Sequence, residues 1–326
     1  MVKSLPAPHI CRLLTPNVAA RMLDKAILPP LALPHGVDTR RIVWPYVTTL
    51  VLYHLVALLA LLPFFFSWSG VVLMFAGLYV FGTLGINLCF HRLLTHRGLV
   101  CPKWLEHFFA ILGVCCMQDT PAHWVAIHRR HHEHSDESED PHSPLVNFLW
   151  GHMGWMVIEN CDVSRLEIYS RYAKDILRDP FYKKLEGPLY ALIVLGSWLV
   201  FFLLGISGAL LTGEAFEAAL QFGFSVLIWG VFVRTVLVWH ITWSVNSLAH
   251  LFGYQNYPTT DRSRNNWFVA LIAMGEGWHN NHHAQPRSAK HGHRWFELDL
   301  TYVSVWLLEK AGLAKQVVRP DPNKSV

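Results

Sequence analysis

The chain has 326 residues, 52% of them hydrophobic and only 15% charged, and a net charge of +4 with histidine neutral. A mean hydropathy of +0.28 sets it apart from ordinary soluble domains and points to a membrane protein. The 27 Lys and Arg residues are spread out without a long basic run, which argues against nucleic acid as a partner.

Residues 1–43 form a mixed, proline-containing N-terminal arm. The first 40 residues lack a basic start followed by an apolar core, so the first membrane span is expected to direct insertion. Spans are expected at 44–66, 68–90, 189–212 and 218–243. The first three carry no Asp, Glu, Lys or Arg over at least 23 residues each, and about 20 apolar residues suffice to cross a bilayer core. The fourth contains Arg234, a charge deep enough to need a buried partner.

Spans one and two are separated only by Ser67, which implies a very tight turn, and spans three and four are joined through Glu214 and Glu217. Arg40 and Arg41 precede the first span, and Arg92 and Arg97 follow the second. The positive-inside bias therefore puts the N-terminus, the long middle segment and the C-terminal segment in the cytosol. In the middle segment, the apolar runs Trp104 to Met117 and Leu145 to Ile158 are too short to cross and read as interfacial or cap helices. The expected fold is all-α: four transmembrane helices and a cytosolic helical cap, with a membrane domain over 44–303 and a tail over 304–326. Six cysteines, Cys11, Cys89, Cys101, Cys115, Cys116 and Cys161, show no CxxC spacing and read as reduced thiols.

Against this background stand four polar clusters: HRLLTH (His91, His96), HRRHH (His128, His131, His132), NSLAH (Asn246, His250) and WHNNHH (His279, His282, His283). Residues three or four apart share a helix face, so most of these clusters can aim their nitrogens at one point. His91 and His96 are five apart. Either the helix ends or distorts there, or the two serve different ions. So many imidazoles exceed what one metal binds, which argues for two metal ions in one site. A single HxxxH is ordinarily a surface feature; four such clusters on one side of a membrane are not. His9, His35, His54, His107, His123, His152 and His240 read as packing or surface residues, and His291 and His293 as solvated. His134 and His142, beside Asp136 and Asp140, are candidates to support the ligands from behind. A site made almost wholly of imidazole suits dioxygen chemistry on non-haem iron, with substrate delivered from the bilayer. Ligand histidines must stay neutral, so metal loss is expected below about pH 6.5.

From about Val43 to Val303 the chain resembles the membrane fatty acyl desaturases of the stearoyl-CoA desaturase type. The resemblance rests on HRLLTH, on HRRHH followed by SDESEDPHSP, on TWSVNSLAHLFG, and on GEGWHNNHH followed by SAKHGHRWFELDLT. It implies two irons held by the nine histidines, with Asn246 reaching the second through a water. It also implies dioxygen and two electrons as co-reactants, and a cis delta-9 double bond placed in a long saturated acyl chain. Gln118, Trp124, Thr242 and Trp243 match the bend of the family's acyl tunnel, and Tyr79 and Thr83 its closed end.

The animal branch has an Arg-Lys pair for the CoA phosphates where GHMGWMVIEN here gives Glu159 and Asn160, and Arg-Asp where this chain has Ala126 and Ile127. The carrier, CoA or membrane lipid, is thus left open. The ending SAKHGHRWFELDLT resembles bacterial and plastid-lineage members, some of which act on acyl groups in membrane lipids. Expected with it are a bacterial inner membrane location and a separate electron donor, a ferredoxin or a b-type cytochrome with its reductase. The closest rival is a membrane di-iron hydroxylase of lipids or alkanes. A non-catalytic metal binder or transporter would need more polar groups in the spans than Arg234, Asn87 and His54.

Overall fold

A computed structural model describes residues 30–321 and 323. Most of the N-terminal arm, with His9 and Cys11, therefore lies outside the described residues. Strand β1, Val37–Ile42, leads into helix α1, Trp44–Leu58, which a 3-10 turn extends to Leu61. Pro45 sits in the first turn, where a missing N–H costs nothing. Helix α1 stops before Pro63, so the first span is shorter than expected.

Helix α2, Trp68–Thr95, opens with Ser67 as N-cap, whose hydroxyl accepts the Gly70 N–H at 3.0 Å. It is α-helical to Gly77 and π-helical from Leu78 to Thr95, past the expected end at residue 90. Helix α3, Lys103–Val114, crosses α2 closely enough that a Cβ on Gly85 would strike the backbone of Gly113. Helix α4 is Pro121–His134. The expected cap helix over Leu145 to Ile158 is helical only over residues 148–157. Ile158 already belongs to strand β2, Ile158–Asn160, which pairs antiparallel with β1. The fold is thus helical with one small two-stranded sheet.

Helix α5, Pro188–Leu211, and helix α6, Phe216–Leu251, complete the four helices among the described residues that are long and apolar enough to cross a membrane. Their outward faces carry exposed Leu52, Leu55, Val72, Phe75, Leu192, Leu195 and Leu203, as lipid contact requires, with Trp44 and Trp68 at span ends. Arg234 is fully buried and does find partners. It donates to the Cys115 carbonyl and to Thr235 Oγ1, both at 3.1 Å, and lies 4.0 Å over the Phe81 ring. Carbonyl and aromatic faces, rather than a carboxylate, receive it.

The start of α1, the end of α2, the start of α5 and the end of α6 share one end of the bundle. The sheet, α3, α4 and the short helices α7 (Trp267–Ile272), α8 (His279–Ala284) and α9 (Leu300–Lys310) gather there. Cys89, Cys101, Cys115, Cys116 and Cys161 are all free thiols.

Candidate metal centre

At the end of α2 the His96 N–H donates to the His91 carbonyl at 3.2 Å, a five-residue step. That π-helical register brings residues five apart back toward one face, and of the two readings of HRLLTH it selects helix distortion. Both rings then join His128 and His132 from α4 and His282 from α8. The ligand atoms of these five residues lie within 4.8 Å of one another. A second set at the same spacing comprises His131 from α4, His250 from α6, and His279 and His283 from α8. All nine sequence-predicted histidines are accounted for, five and four. Asn246 lies one turn before His250 on α6 and lines the adjoining cavity.

The pattern of nitrogens fits a cation. His91 donates from Nδ1 to Glu276 at 2.7 Å, His131 to Asp140 at 3.0 Å, His250 to Asp136 at 2.8 Å and His283 to Asp261 at 2.6 Å. Each pairing puts the ring proton on the outer nitrogen and leaves Nε2 as a lone pair pointing inward. Inside, His282 Nε2 is 3.0 Å from His91 Nε2 and 2.9 Å from His132 Nε2, and His250 and His279 Nε2 are 3.0 Å apart. His96, His131 and His283 Nε2 are buried with no hydrogen-bond partner among the described residues. Unpaired buried acceptors are costly, and a metal ion held in each set would satisfy them.

Burial, reinforced by neighbouring imidazoles, pushes His96, His128, His132, His279 and His282 well below the ordinary histidine value. Burial takes His283 down to about 4 even though Asp261 opposes it. The rings are held in the neutral form that binds metal. Burial alone would raise the supporting carboxyls, but His250 holds Asp136, and His283 holds Asp261, below the usual carboxylate range. Glu276 is held low by Arg92, which donates to it from Nε and Nη2 at 3.0 and 2.7 Å.

Three expectations change here. His291 is not solvated: it is 1% exposed, its ring centroid is 4.5 Å from that of His282, and it faces Glu276 at 3.2 Å. His293 is half-buried and bonds Tyr257. The His142 ring packs tilted against His131, centroids 4.4 Å apart, as a supporting residue should, but His134 only meets Glu133 and Glu137 at the surface. Glu276 and Asp261 were not singled out, because their role depends on which ring the fold brings to them. Backbone strain clusters here too: Met117, Asp119, Asp136 and Met274 have positive φ, at about 1–3 kcal/mol each.

A cavity of about 480 Å³ runs up to His91, His128 and His279. Gln118, Trp124, Thr242 and Trp243 all line it. Trp124 Nε1 donates to Gln118 Oε1 at 3.2 Å, and Gln118 Nε2 to Thr242 Oγ1 at 2.9 Å, forming a belt across the cavity. Beyond that belt a small pocket bounded by Thr83, Leu78, Gly82 and Met274 shares Asn87, Ile241, Thr242 and Ala273 with the large one. Tyr79 lines neither. Its hydroxyl is 2.8 Å from Ser304 Oγ on α9, and its ring is partly exposed.

A family model described as fatty acid desaturase matches residues 66–315. The chain belongs to the fatty acid desaturase family. This desaturase is 43% identical over 277 residues to an sn-1 stearoyl-lipid 9-desaturase of Synechocystis sp., an alignment covering 85% of this chain and 80% of the relative. An sn-1 stearoyl-lipid 9-desaturase of Anabaena variabilis is 43% identical over 83% of the chain and 92% of its own length. An sn-2 palmitoyl-lipid 9-desaturase of Nostoc sp. is 38% identical over 89% and 95%. Where the desaturase departs from the animal branch, Glu159 pairs with Arg41 at 3.1 Å and Asn160 Oδ1 accepts the Asp162 N–H at 3.0 Å, while Ala126 and Ile127 are buried.

Proposed function

We propose that this desaturase places a cis delta-9 double bond in a saturated long acyl chain esterified in a membrane lipid. Two iron ions, dioxygen and electrons from a separate carrier protein take part. The observation that carries this reading is the cavity that passes the Trp124, Gln118 and Thr242 belt on its way to the imidazoles. Support for the lipid carrier comes from the relatives' names and from the polar end of the cavity. Arg165 there is paired with Asp119 and Glu186, and nearby Arg41 with Glu159, so neither guanidinium is free for the phosphates of CoA.

His91, His96, His128, His132 and His282 would hold one iron. His131, His250, His279 and His283 would hold the other, with Asn246 beside it. Bound iron supplies the one-electron chemistry with dioxygen that removes hydrogen from unactivated carbon. The protein's part is positional. Trp124 and Trp243 wall off water, the hydrogen-bonded belt fixes the path of the chain, and Thr83 closes the space beyond. In this reading the site and both termini lie on the cytosolic side of a bacterial inner membrane, as the basic Arg40 and Arg41 just before the first span support.

The test is expression in a host deficient in monounsaturated lipids, with double-bond position and labelling order of lipid classes measured. A delta-9 alkene appearing first in intact lipid is expected. Hydroxy acid without alkene, or acyl-CoA labelled before lipid, would overturn the reading.

A further inference from the structure

The carboxylates behind the two imidazole sets are unevenly shared. In the four-imidazole set three of the four rings are backed by a carboxylate: His131 by Asp140, His250 by Asp136 and His283 by Asp261. These carboxylates are buried, with side-chain exposures of 0%, 4% and 8%. Among the described residues none of them forms a salt bridge to a Lys or Arg; their other partners are neutral. Asp136 accepts from Ser143 Oγ and the Arg262 backbone N–H, Asp140 from the Asp136 and His142 N–H groups, and Asp261 from Thr259 and Ser263.

In the five-imidazole set, among the described residues, only His91 has such a partner, Glu276. Arg92 pairs with that carboxylate and also with Asp299 at 2.9 Å, so one guanidinium serves two carboxylates and the trio keeps one net negative charge. Arg129 on the same side donates to the Thr95 and Leu94 carbonyls just before His96, but Asp175 at 2.7 Å compensates its charge. One position is therefore ringed by three uncompensated negative charges. The other has one net negative charge, carried by the Glu276, Arg92 and Asp299 trio.

A metal dication taken out of water needs compensating charge, which neutral imidazoles do not provide however many there are. Carboxylates behind imidazoles supply it and raise ligand basicity, each worth about 10–100-fold in metal affinity or activity. We propose that the two metal positions are unequal. The four-imidazole position, backed by Asp136, Asp140 and Asp261, takes up a divalent transition-metal ion first and holds it more tightly; the five-imidazole position is the labile one. This rests on the metal reading above and makes Asp136, Asp140 and Asp261 positioning residues.

The experiment is titration of metal-free, detergent-solubilised protein with cobalt(II) against a competing chelator, followed by visible absorption. Two steps of unequal affinity are expected. His96→Ala removes the weaker step alone, and Asp261→Asn weakens the tighter step by about 10–100-fold while leaving the weaker in place. Asp136→Asn, at a left-handed backbone position that Asn tolerates, repeats the test from another element. Two ions bound with one affinity, loss of the tighter step in His96→Ala, or no shift in either aspartate variant would overturn the inequality alone. Failure of the unaltered chain to bind cobalt saturably would remove the metal reading beneath it as well.

Discussion

The Nε2 atoms of His91 and His282 stand 3.0 Å apart, although 191 residues separate them in the chain. His91 comes from the last turns of a membrane helix and His282 from a short helix in the cap. What joins them is the π-helical register of α2 on one side and the Glu276 carboxylate behind His91 on the other. Insertion of one alanine between Leu93 and Leu94 rotates His96 away from His91 and leaves the spans intact. Metal analysis of the purified variant should show about one ion fewer per chain; an unchanged metal content would show that the register is not needed.

Glu276→Gln keeps the size of the side chain but removes the charge that orients His91. Turnover should fall by about 10–100-fold with membrane insertion preserved. Wild-type turnover in this variant would show that His91 needs no support from Glu276.

Thr83 is 1% exposed and sits on the small pocket at the end of the acyl path. Thr83→Leu fills that space and should cut turnover of the longest accepted acyl chain by about tenfold while sparing shorter ones. Tyr79→Phe removes only the hydroxyl that bonds Ser304 and should leave the chain-length profile as it is. Product profiles by chain length decide both, and a shifted profile in Tyr79→Phe would put that residue back at the tunnel end.

In the folded, metal-free protein His283 and His291 are pushed down to about 4 by burial, whereas an unfolded imidazole titrates near about 6.5. Between those values the unfolded chain binds more protons than the folded one. Stability therefore falls as pH drops through that window and is fully present above it. Thermal unfolding of metal-free protein should show a Tm that declines from about pH 6.5 towards pH 4.5; a flat Tm over that range would mean these rings are not buried neutral.

Much of the centre could be read from spacing alone. His128 with His131 and His132, and His279 with His282 and His283, follow a helical period, and they do converge. The pair His91 and His96 could be flagged but not resolved, because a π-helical register leaves no mark in hydrophobic periodicity. Glu276 and Asp261 support ligands distant in sequence or in a neighbouring loop, and nothing in their local context shows which ring they will meet. His291 reads as solvated for a similar reason: its segment is polar, yet the Arg92, Glu276 and Asp299 network draws it inward. Family resemblance puts both Tyr79 and Thr83 at the tunnel end; one helical turn apart, Thr83 lines the small pocket while the Tyr79 hydroxyl meets Ser304 on α9. The β1 and β2 pair was missed because strands of six and three residues inside a helical protein carry too little pattern.

The central claim is that imidazoles from four separate segments assemble one two-metal site. Metal content and specific activity measured together on the same purified protein test it most directly. Two irons per chain in fully active protein, with both iron and activity lost in His282→Ala although the protein still inserts in the membrane, is the predicted result. Full activity with fewer than two irons per chain, or with His282 replaced, would contradict it.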